Sequence, residues 1–430
     1  MKRLLLLSYY FPPLGMGGTQ RAAKLAKYLP QFGWDVTVVT VKPIAYWAED
    51  EQLLQELQHI RIIRTESLDP QRLLRRWRKT KTFAADVRPS VAGSNRLLAL
   101  INQKVLPFFL VPDSKILWSH PARKQVKRLL QREHYDAVFT TSPPHSVHLI
   151  GSKIAARYGL KWVADFRDEW SGGVVVHEPT PLQRWLNRRL QKSVVQKADA
   201  VISVTPGIER AMRVYDPAHD DKFHLITNGF DRDDFPDQTG QKKDERFVFC
   251  HCGSITRFSD PEPFLKGLSL AIAKYPQLRH RVRVRFVGYD AYGGFPQLVA
   301  ALGLDSLVEY SGYQTHRQAL QSLMYADALI LIALGKKQAS FIPGKTFEYI
   351  AAQKPILAIS NVQDTVSFLQ KLNMDVIQDE DDCERIAERI KDLVDRPEPP
   401  HIDQQLLAKY DRRNQAQQLA VILNELTKSD

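Results

Sequence analysis

An apolar run at residues 328–334, a loop holding Pro343 and Gly344, a helix-length stretch at 346–353 and a second apolar run at 355–359 follow one another directly. Strand, loop, helix, strand is the repeating unit of a parallel α/β sheet, because parallel neighbours need a crossover lying on the sheet face. Such sheets take ligands beyond the carboxyl ends of their strands, near helix N-termini. Lys345 and Glu348 stand at that place, just after Pro343 and Gly344. A helix N-terminus offers N–H groups and a partial positive charge that suit phosphate, and Lys345 adds a full charge. An ionised Glu348 only accepts hydrogen bonds and can hold the two hydroxyls of a ribose. The stretch reads as a site for a nucleoside diphosphate. The same residues also describe an ordinary helix start, with Pro and Gly ending the strand and Glu complementing the helix dipole.

The 430 residues, 44% hydrophobic and 25% charged, predict two α/β domains with real cores. No stretch approaches the roughly 20 apolar residues that span a bilayer. Leu4 to Leu7 is too short a run for a signal peptide, and Tyr9-Tyr10-Phe11-Pro12-Pro13 follows without a small-residue cleavage site, so it reads as a first strand. Three cysteines make no disulfide framework, and a reducing cytoplasm fits. Cys250 and Cys252 alternate along a strand and read as small core residues, with a metal pair completed by His251 the weaker alternative. The net charge of +12 permits phosphorylated substrates, anionic lipid or nucleic acid. No zinc-finger spacing or ribonucleoprotein aromatic motif supports nucleic acid. Residues 71–132 hold fifteen Lys or Arg against two acidic residues, with Trp77, Phe83, Phe108, Phe109 and Trp118 among them. That mixture suits an anionic membrane surface, and equally a solvated basic face over core residues.

From the start, residues 4–7 and 34–41 read as strands around a helix at 19–32, a βαβ unit whose turn carries Gly15, Gly17 and Gly18. The turn is not a GxGxxG, and no acidic residue closes the second strand, which disfavours a dinucleotide site. Strands at 135–141 and 161–166 deliver His145, Asp165 and Arg167 at their carboxyl ends. A histidine there suits proton transfer or a sugar hydroxyl near neutral pH, or is a plain helix cap. The polar stretch at 236–246 reads as a linker between a first domain, 1–235, and a second, 247–402, followed by a helical region at 403–430. After the strand at 247–252, Gly253 and Ser254 can approach a phosphate by backbone N–H, and Arg257 can pair with it. Tyr313, after a short strand at 308–311, can face a nucleobase.

Taken in order, Tyr9-Tyr10-Phe11-Pro12-Pro13 with Gly17-Gly18, Ser142-Pro143-Pro144-His145-Ser146, Asp165-Phe166-Arg167-Asp168-Glu169-Trp170, Ile226-Thr227-Asn228-Gly229-Phe230-Asp231 and Pro343-Gly344-Lys345-Thr346-Phe347-Glu348-Tyr349 resemble bacterial family-4 glycosyltransferases over nearly the whole chain. The resemblance implies a GT-B architecture, two Rossmann-like domains facing a cleft. It implies retaining transfer of a sugar from a nucleotide-sugar donor to a hydroxyl of a glycan or lipid-linked acceptor, in cell-surface polysaccharide synthesis, at the inner face of the plasma membrane. The donor would bind the second domain and the acceptor the first. Glu348 would hold the donor ribose, Lys345 the diphosphate, and Gly253, Ser254 and Arg257 the phosphate turn. Gly18 would approach the diphosphate from the first domain, and His145, Asp165 and Arg167 would face acceptor or transferred sugar. The last helix would cross back onto the first domain. No metal and no cofactor are expected, because the helix dipole, Lys345 and Arg257 would neutralise the leaving diphosphate. Two positions depart from the pattern. Ser340 stands where many relatives carry a Glu that contacts the transferred sugar, and Arg167-Asp168 where many carry His-Asp. The first departure keeps open a catalytically silent nucleotide- or glycan-binding relative, and a sugar-nucleotide epimerase is the third alternative.

Overall fold

The computed structural model describes residues 1–15, 17–44, 49–69, 72–73, 110–172, 180–236, 244–291, 293–335 and 340–428. Most of the basic segment at 71–132 and of the linker at 236–246 lies outside the described residues. The chain forms two compact units, residues 1–227 with 412–430, and residues 228–411.

In the first unit, β1 (Lys2–Leu7), β2 (Trp34–Val41), β3 (Arg61–Thr65), β4 (Ala137–Ser142), β5 (Lys161–Phe166), β6 (Ala200–Ser203) and β7 (Phe223–Leu225) form one sheet in the order β3-β2-β1-β4-β5-β6-β7. Every pair is parallel, with Leu4 of β1 opposite Val36 of β2 and Ala137 of β4. The strands are near-continuous apolar runs because both faces are covered. Leu5, Leu7 and Val138 pack on one side with Trp118, Val147 and Trp162, and Leu4, Leu6 and Phe139 on the other with Ala22, Leu25 and Trp34.

Three helices of this unit matter below: α1 (Gly17–Tyr28), α2 (Ser146–Tyr158) and α3 (Pro181–Lys197). Thr180 starts α3 with a capping box to Gln183, and Pro181 sits where its missing N–H costs nothing.

The second unit repeats the plan. Its strands β8 (Phe247–Cys252), β9 (Val282–Val287), β10 (Val308–Tyr310), β11 (Ala328–Ala333), β12 (Ile356–Ser360) and β13 (Val376–Ile377) lie in the order β10-β9-β8-β11-β12-β13, all parallel. Its helices include α4 (Glu262–Lys274), α5 (His316–Tyr325), α6 (Gly344–Ala352) and α7 (Cys383–Asp395). The expected strand, loop, helix and strand around Lys345 are thus β11, its loop, α6 and β12. The final helix, α8 (Arg412–Leu426), belongs to the first unit, where Ala416, Leu419 and Leu423 join Ala22 and Leu25, and Lys2 Nζ donates to Thr427 Oγ1 at 2.7 Å.

Residues 228–235, placed with the first domain from sequence, lie in the second unit. The reason is packing: Phe230 and Phe235 join its core, and the Phe230 N–H donates to the Tyr410 carbonyl at 3.0 Å. Residues 403–411 stay there too, with Leu407 buried in the same cluster.

Each sheet changes direction of strand order once, between β1 and β4 and between β8 and β11. Ligands of open parallel sheets sit beyond the strand ends at such a switch point. The two sets of residues singled out from the sequence fall at these two places.

Candidate functional site

At the second switch point, β8 ends in His251, Cys252 and Gly253. Side chains alternate along a strand, so Cys250 and Cys252 share one face, with Sγ atoms 3.6 Å apart and both in the core, while His251 points to the other face. A metal held jointly by the two thiols and His251 is therefore not the arrangement present. His251 is fully buried, its Nδ1 3.0 Å from the Ile330 carbonyl oxygen on β11. Its Nε2 lies 3.0 Å from Lys345 Nζ.

Lys345 is held on the first turn of α6, which Pro343 opens from an extended conformation. Tyr349, one turn further, fastens that helix to the end of β8: its hydroxyl accepts from the Cys252 N–H at 2.8 Å and donates to the Cys252 carbonyl at 3.3 Å. Glu348 Oε1 lies 2.7 Å from His316 Nε2 at the start of α5, and His316 Nδ1 is 3.7 Å from Asp234. Burial pushes the Lys345 ammonium down to about 7, against the pull of Cys252 and Glu348. The lysine therefore gains most in charge when an anion arrives beside it.

Gly253 and Gly288 make this corner passable. Gly253 has φ +139°, and a Cβ there would lie 3.2 Å from Lys345 Nζ. Gly288, at the end of β9 with φ +150°, passes so close that a Cβ would meet the Gly253 carbonyl oxygen at 2.0 Å. Only glycine combines that backbone angle with that contact. Ser254 belongs to the same turn: its carbonyl accepts from Ser259 Oγ at 2.6 Å. Arg257 is exposed, its guanidinium 4.6 Å over the Phe258 ring. Tyr313 is half-buried in the loop after β10, and Gly344 is exposed at the start of α6. Gly253, Lys345 and Glu348 are thus brought to one strand end. Sequence reasoning missed Tyr349 and His316 and weighed His251 only as a metal ligand; its position on β8 was visible, but its partners were not.

The first switch point is built differently. Asp165, at the end of β5, is fully buried and accepts from Arg21 Nε at 3.0 Å, Arg21 Nη2 at 2.7 Å and Thr141 Oγ1 at 2.7 Å. Arg21, on α1, also donates to the Thr227 carbonyl at 2.6 Å. Arg167 is buried and donates to the carbonyls of Ser142 at 2.5 Å, Pro143 at 3.2 Å and Gly18. The two side chains expected to face substrate are therefore turned inward. Asp165 neutralises a buried guanidinium, and Arg167 ties the Ser142-Pro143 loop to the start of α1. Gly18 takes part through that carbonyl; a Cβ on it would make only ordinary contact, 3.6 Å from Arg167.

His145 begins α2 and stacks on Trp170, with ring centroids 4.9 Å apart and planes at 8°. Both ring nitrogens are buried. Burial, reinforced by Arg167, pushes its pKa down to about 3, although the Glu169 backbone carbonyl, as an acceptor, acts upward. The imidazole is thus neutral at pH 7, and proton exchange near neutrality, expected from the sequence, is not what this environment supports. Behind it, the His148 Nδ1 and Trp162 Nε1 meet Thr140 Oγ1 at 2.8 and 2.9 Å. Asp113 receives the Ser146 N–H and hydroxyl at 2.9 and 2.8 Å, which fixes the start of α2.

Residues 16–229 match the family described as "Glycosyl transferase 4-like domain". Comparison with curated proteins returns no match. Among solved structures, the chain aligns over 99% of its length with 99% of a sucrose-phosphate synthase from Thermosynechococcus elongatus, at TM-score 0.63 and 16% identity. It aligns over 99% with all of Anabaena Alr3699/HepE, solved in complex with UDP, at TM-score 0.60 and 15% identity. It does so again with all of WaaG, a glycosyltransferase involved in lipopolysaccharide biosynthesis, at TM-score 0.57 and 15% identity. At such identities the likeness carries the fold, and it agrees with the family match over the first unit. Residues 16–229 are therefore a glycosyl transferase 4-like domain, and the chain as a whole has the two-unit GT-B fold of these structures.

Proposed function

We propose that the protein is a retaining, metal-independent glycosyltransferase. It moves a sugar from a nucleotide-sugar donor to a hydroxyl of a glycan or lipid-linked acceptor, in cell-surface polysaccharide synthesis at the inner face of the plasma membrane. The observation that carries this reading is the convergence of Lys345, the N-terminus of α6, Gly253 and Glu348 at one strand end. A cation, a helix N-terminus and a bare glycine turn suit a diphosphate, and they stabilise it most as it leaves. Ser254 and Arg257 extend the same turn, Tyr313 faces the base, and Glu348 exchanges His316 for the ribose hydroxyls. His145, neutral and stacked on Trp170, serves the acceptor side as a hydrogen-bonding group. Replacing Glu348 by Ala is expected to cut transfer well over tenfold in a purified-protein assay, with an unchanged melting temperature. Unchanged turnover would remove the ribose assignment. Ser340 favours a second reading, a silent nucleotide binder, and that reading predicts nucleotide binding with neither transfer nor donor hydrolysis.

The membrane part rests on α3. No helix among the described residues is long and apolar enough to cross a membrane. Yet α3 turns Gln183, Asn187 and Gln191 inward and leaves Leu182 and Trp185 each 54% exposed. It carries Arg184, Arg188, Arg189, Lys192 and Lys197 and no acidic residue, and Arg189 lies 5.5 Å over the Trp185 ring. Aromatic and aliphatic side chains set among cations fit the headgroup layer of an anionic leaflet. Each basic residue contributes about 1 kcal/mol there. Changing Arg184, Trp185, Arg188 and Arg189 to Ser is expected to abolish co-flotation with phosphatidylglycerol vesicles. Equal flotation of the quadruple variant would leave α3 as a solvated face.

A further inference from the structure

The chain Ile330 carbonyl, His251, Lys345 runs from the centre of the second sheet to its rim. A carbonyl oxygen only accepts, so His251 Nδ1, 3.0 Å away, carries the ring proton. Nε2 is then a lone pair, and it meets Lys345 Nζ at 3.0 Å. An ammonium only donates, so the tautomer set by the sheet is the one that can hold the lysine. A doubly protonated ring would set a second donor and a like charge against the ammonium. Burial, and after it Lys345 itself, accordingly push the His251 pKa well below its ordinary value. The ring is held in place by tilted contact with Phe286, at 5.4 Å between centroids.

We propose that His251 is the positioning residue of Lys345: its Nε2 accepts a hydrogen bond from one ammonium N–H and leaves the other two, beside Gly253 at the end of β8, for the diphosphate of the donor. The catalytic meaning rests on the donor-site reading above; the pairing itself does not. A lysine has a flexible four-carbon stem, and one fixed acceptor turns a mobile charge into an oriented pair of donors. The titratable groups that act on Lys345 are His251 and Cys252 from β8 and Glu348 from α6, and β11 contributes the Ile330 carbonyl behind His251. Burial pushes the Tyr349 hydroxyl up, and its bond to Cys250 followed by burial does the same for the Cys252 thiol. His251 is thus the neutral acceptor that supports the ammonium in an otherwise desolvating place. With burial pushing the Lys345 pKa down to about 7, a diphosphate is expected to bind with proton uptake, and its affinity to fall as pH rises through that value.

The test compares full-length wild type, His251→Phe and His251→Gln. Phe keeps a flat ring against Phe286, and Gln restores an acceptor. Lys345 is titrated by pH-dependent amine labelling read by mass spectrometry, and UDP, GDP and ADP binding is measured calorimetrically from pH 6 to 9. The lysine pKa is expected to fall by about one pH unit in His251→Phe and to return in His251→Gln. The affinity of the nucleotide that binds is expected to drop about tenfold at pH 7 in the Phe variant, with its alkaline limb moved to lower pH. Identical Lys345 titration in all three proteins overturns the proposal. A shifted titration with no nucleotide bound by the wild type supports the pairing and overturns the donor reading.

Discussion

Asp165→Ala is expected to lower the melting temperature of the protein by roughly 10 °C. The carboxylate is the bidentate partner of Arg21, a guanidinium only 2% exposed, which also donates to the Thr227 carbonyl. Removing one member of a buried pair leaves an uncompensated charge and costs about 3–5 kcal/mol. For a unit of this size each kcal/mol moves the midpoint by about 2–4 °C. Thr141 loses its acceptor in the same change. Replacing both members with apolar residues, Arg21→Met with Asp165→Leu, is expected to recover part of the loss, because no buried charge then remains. Thermal melts of the two variants decide the matter. A stable Asp165→Ala protein that is nonetheless inactive would return Asp165 to the chemistry and defeat the structural role.

Lys345→Met is expected to have the opposite profile: transfer falls by about 10²–10³-fold, the range for loss of one preorganised charge-stabilising group, while the melting temperature at pH 7 does not fall. The sign follows from burial. The folded-state pKa of Lys345, about 7, lies below that of an exposed lysine, so between these values the unfolded chain binds more protons. Wild-type stability therefore gains a contribution as pH rises from 7 toward 10, and the methionine variant lacks that rise. Urea melts of both proteins at pH 7 and 9 measure it, and parallel pH dependence in the two would show that the lysine is not desolvated. A residue that costs stability and lies against a glycine turn is what a binding site asks of its lysine.

The local build of the candidate site was legible in the sequence. Pro343 and Gly344 announce a helix start, the runs at 328–334 and 355–359 announce the flanking strands, and Lys345 and Glu348 follow from their place on the first turn. The direction of Asp165 and Arg167 was not legible. Both lie just where a substrate-facing side chain would, at the end of β5, but β5 is buried on both faces: Ala164 and Phe166 pack in one cluster and Val163 in the other. With no polar face to mark the outside, alternation does not tell a carboxylate that meets substrate from one that meets Arg21. The burial of His145, which opposes proton exchange near neutrality, was not legible for a related reason. Its place at a helix start suggests solvent, whereas Trp170 and Phe166 enclose it.

By itself the sequence determined the alternation of strands and helices, the two-unit organisation and the phosphate-suited start of α6, since these follow from periodicity, chain-breaking residues and neighbours a few positions apart. Which charges pair was decided by tertiary structure alone. Arg21 meets Asp165 across 144 positions and His251 meets Lys345 across 94, and both meetings exist because the sheet order runs β1-β4-β5 in the first unit and sets β8 beside β11 in the second. Burial then settled what those groups can do, because a side chain keeps, loses or shares its proton according to the solvent and partners the fold leaves it.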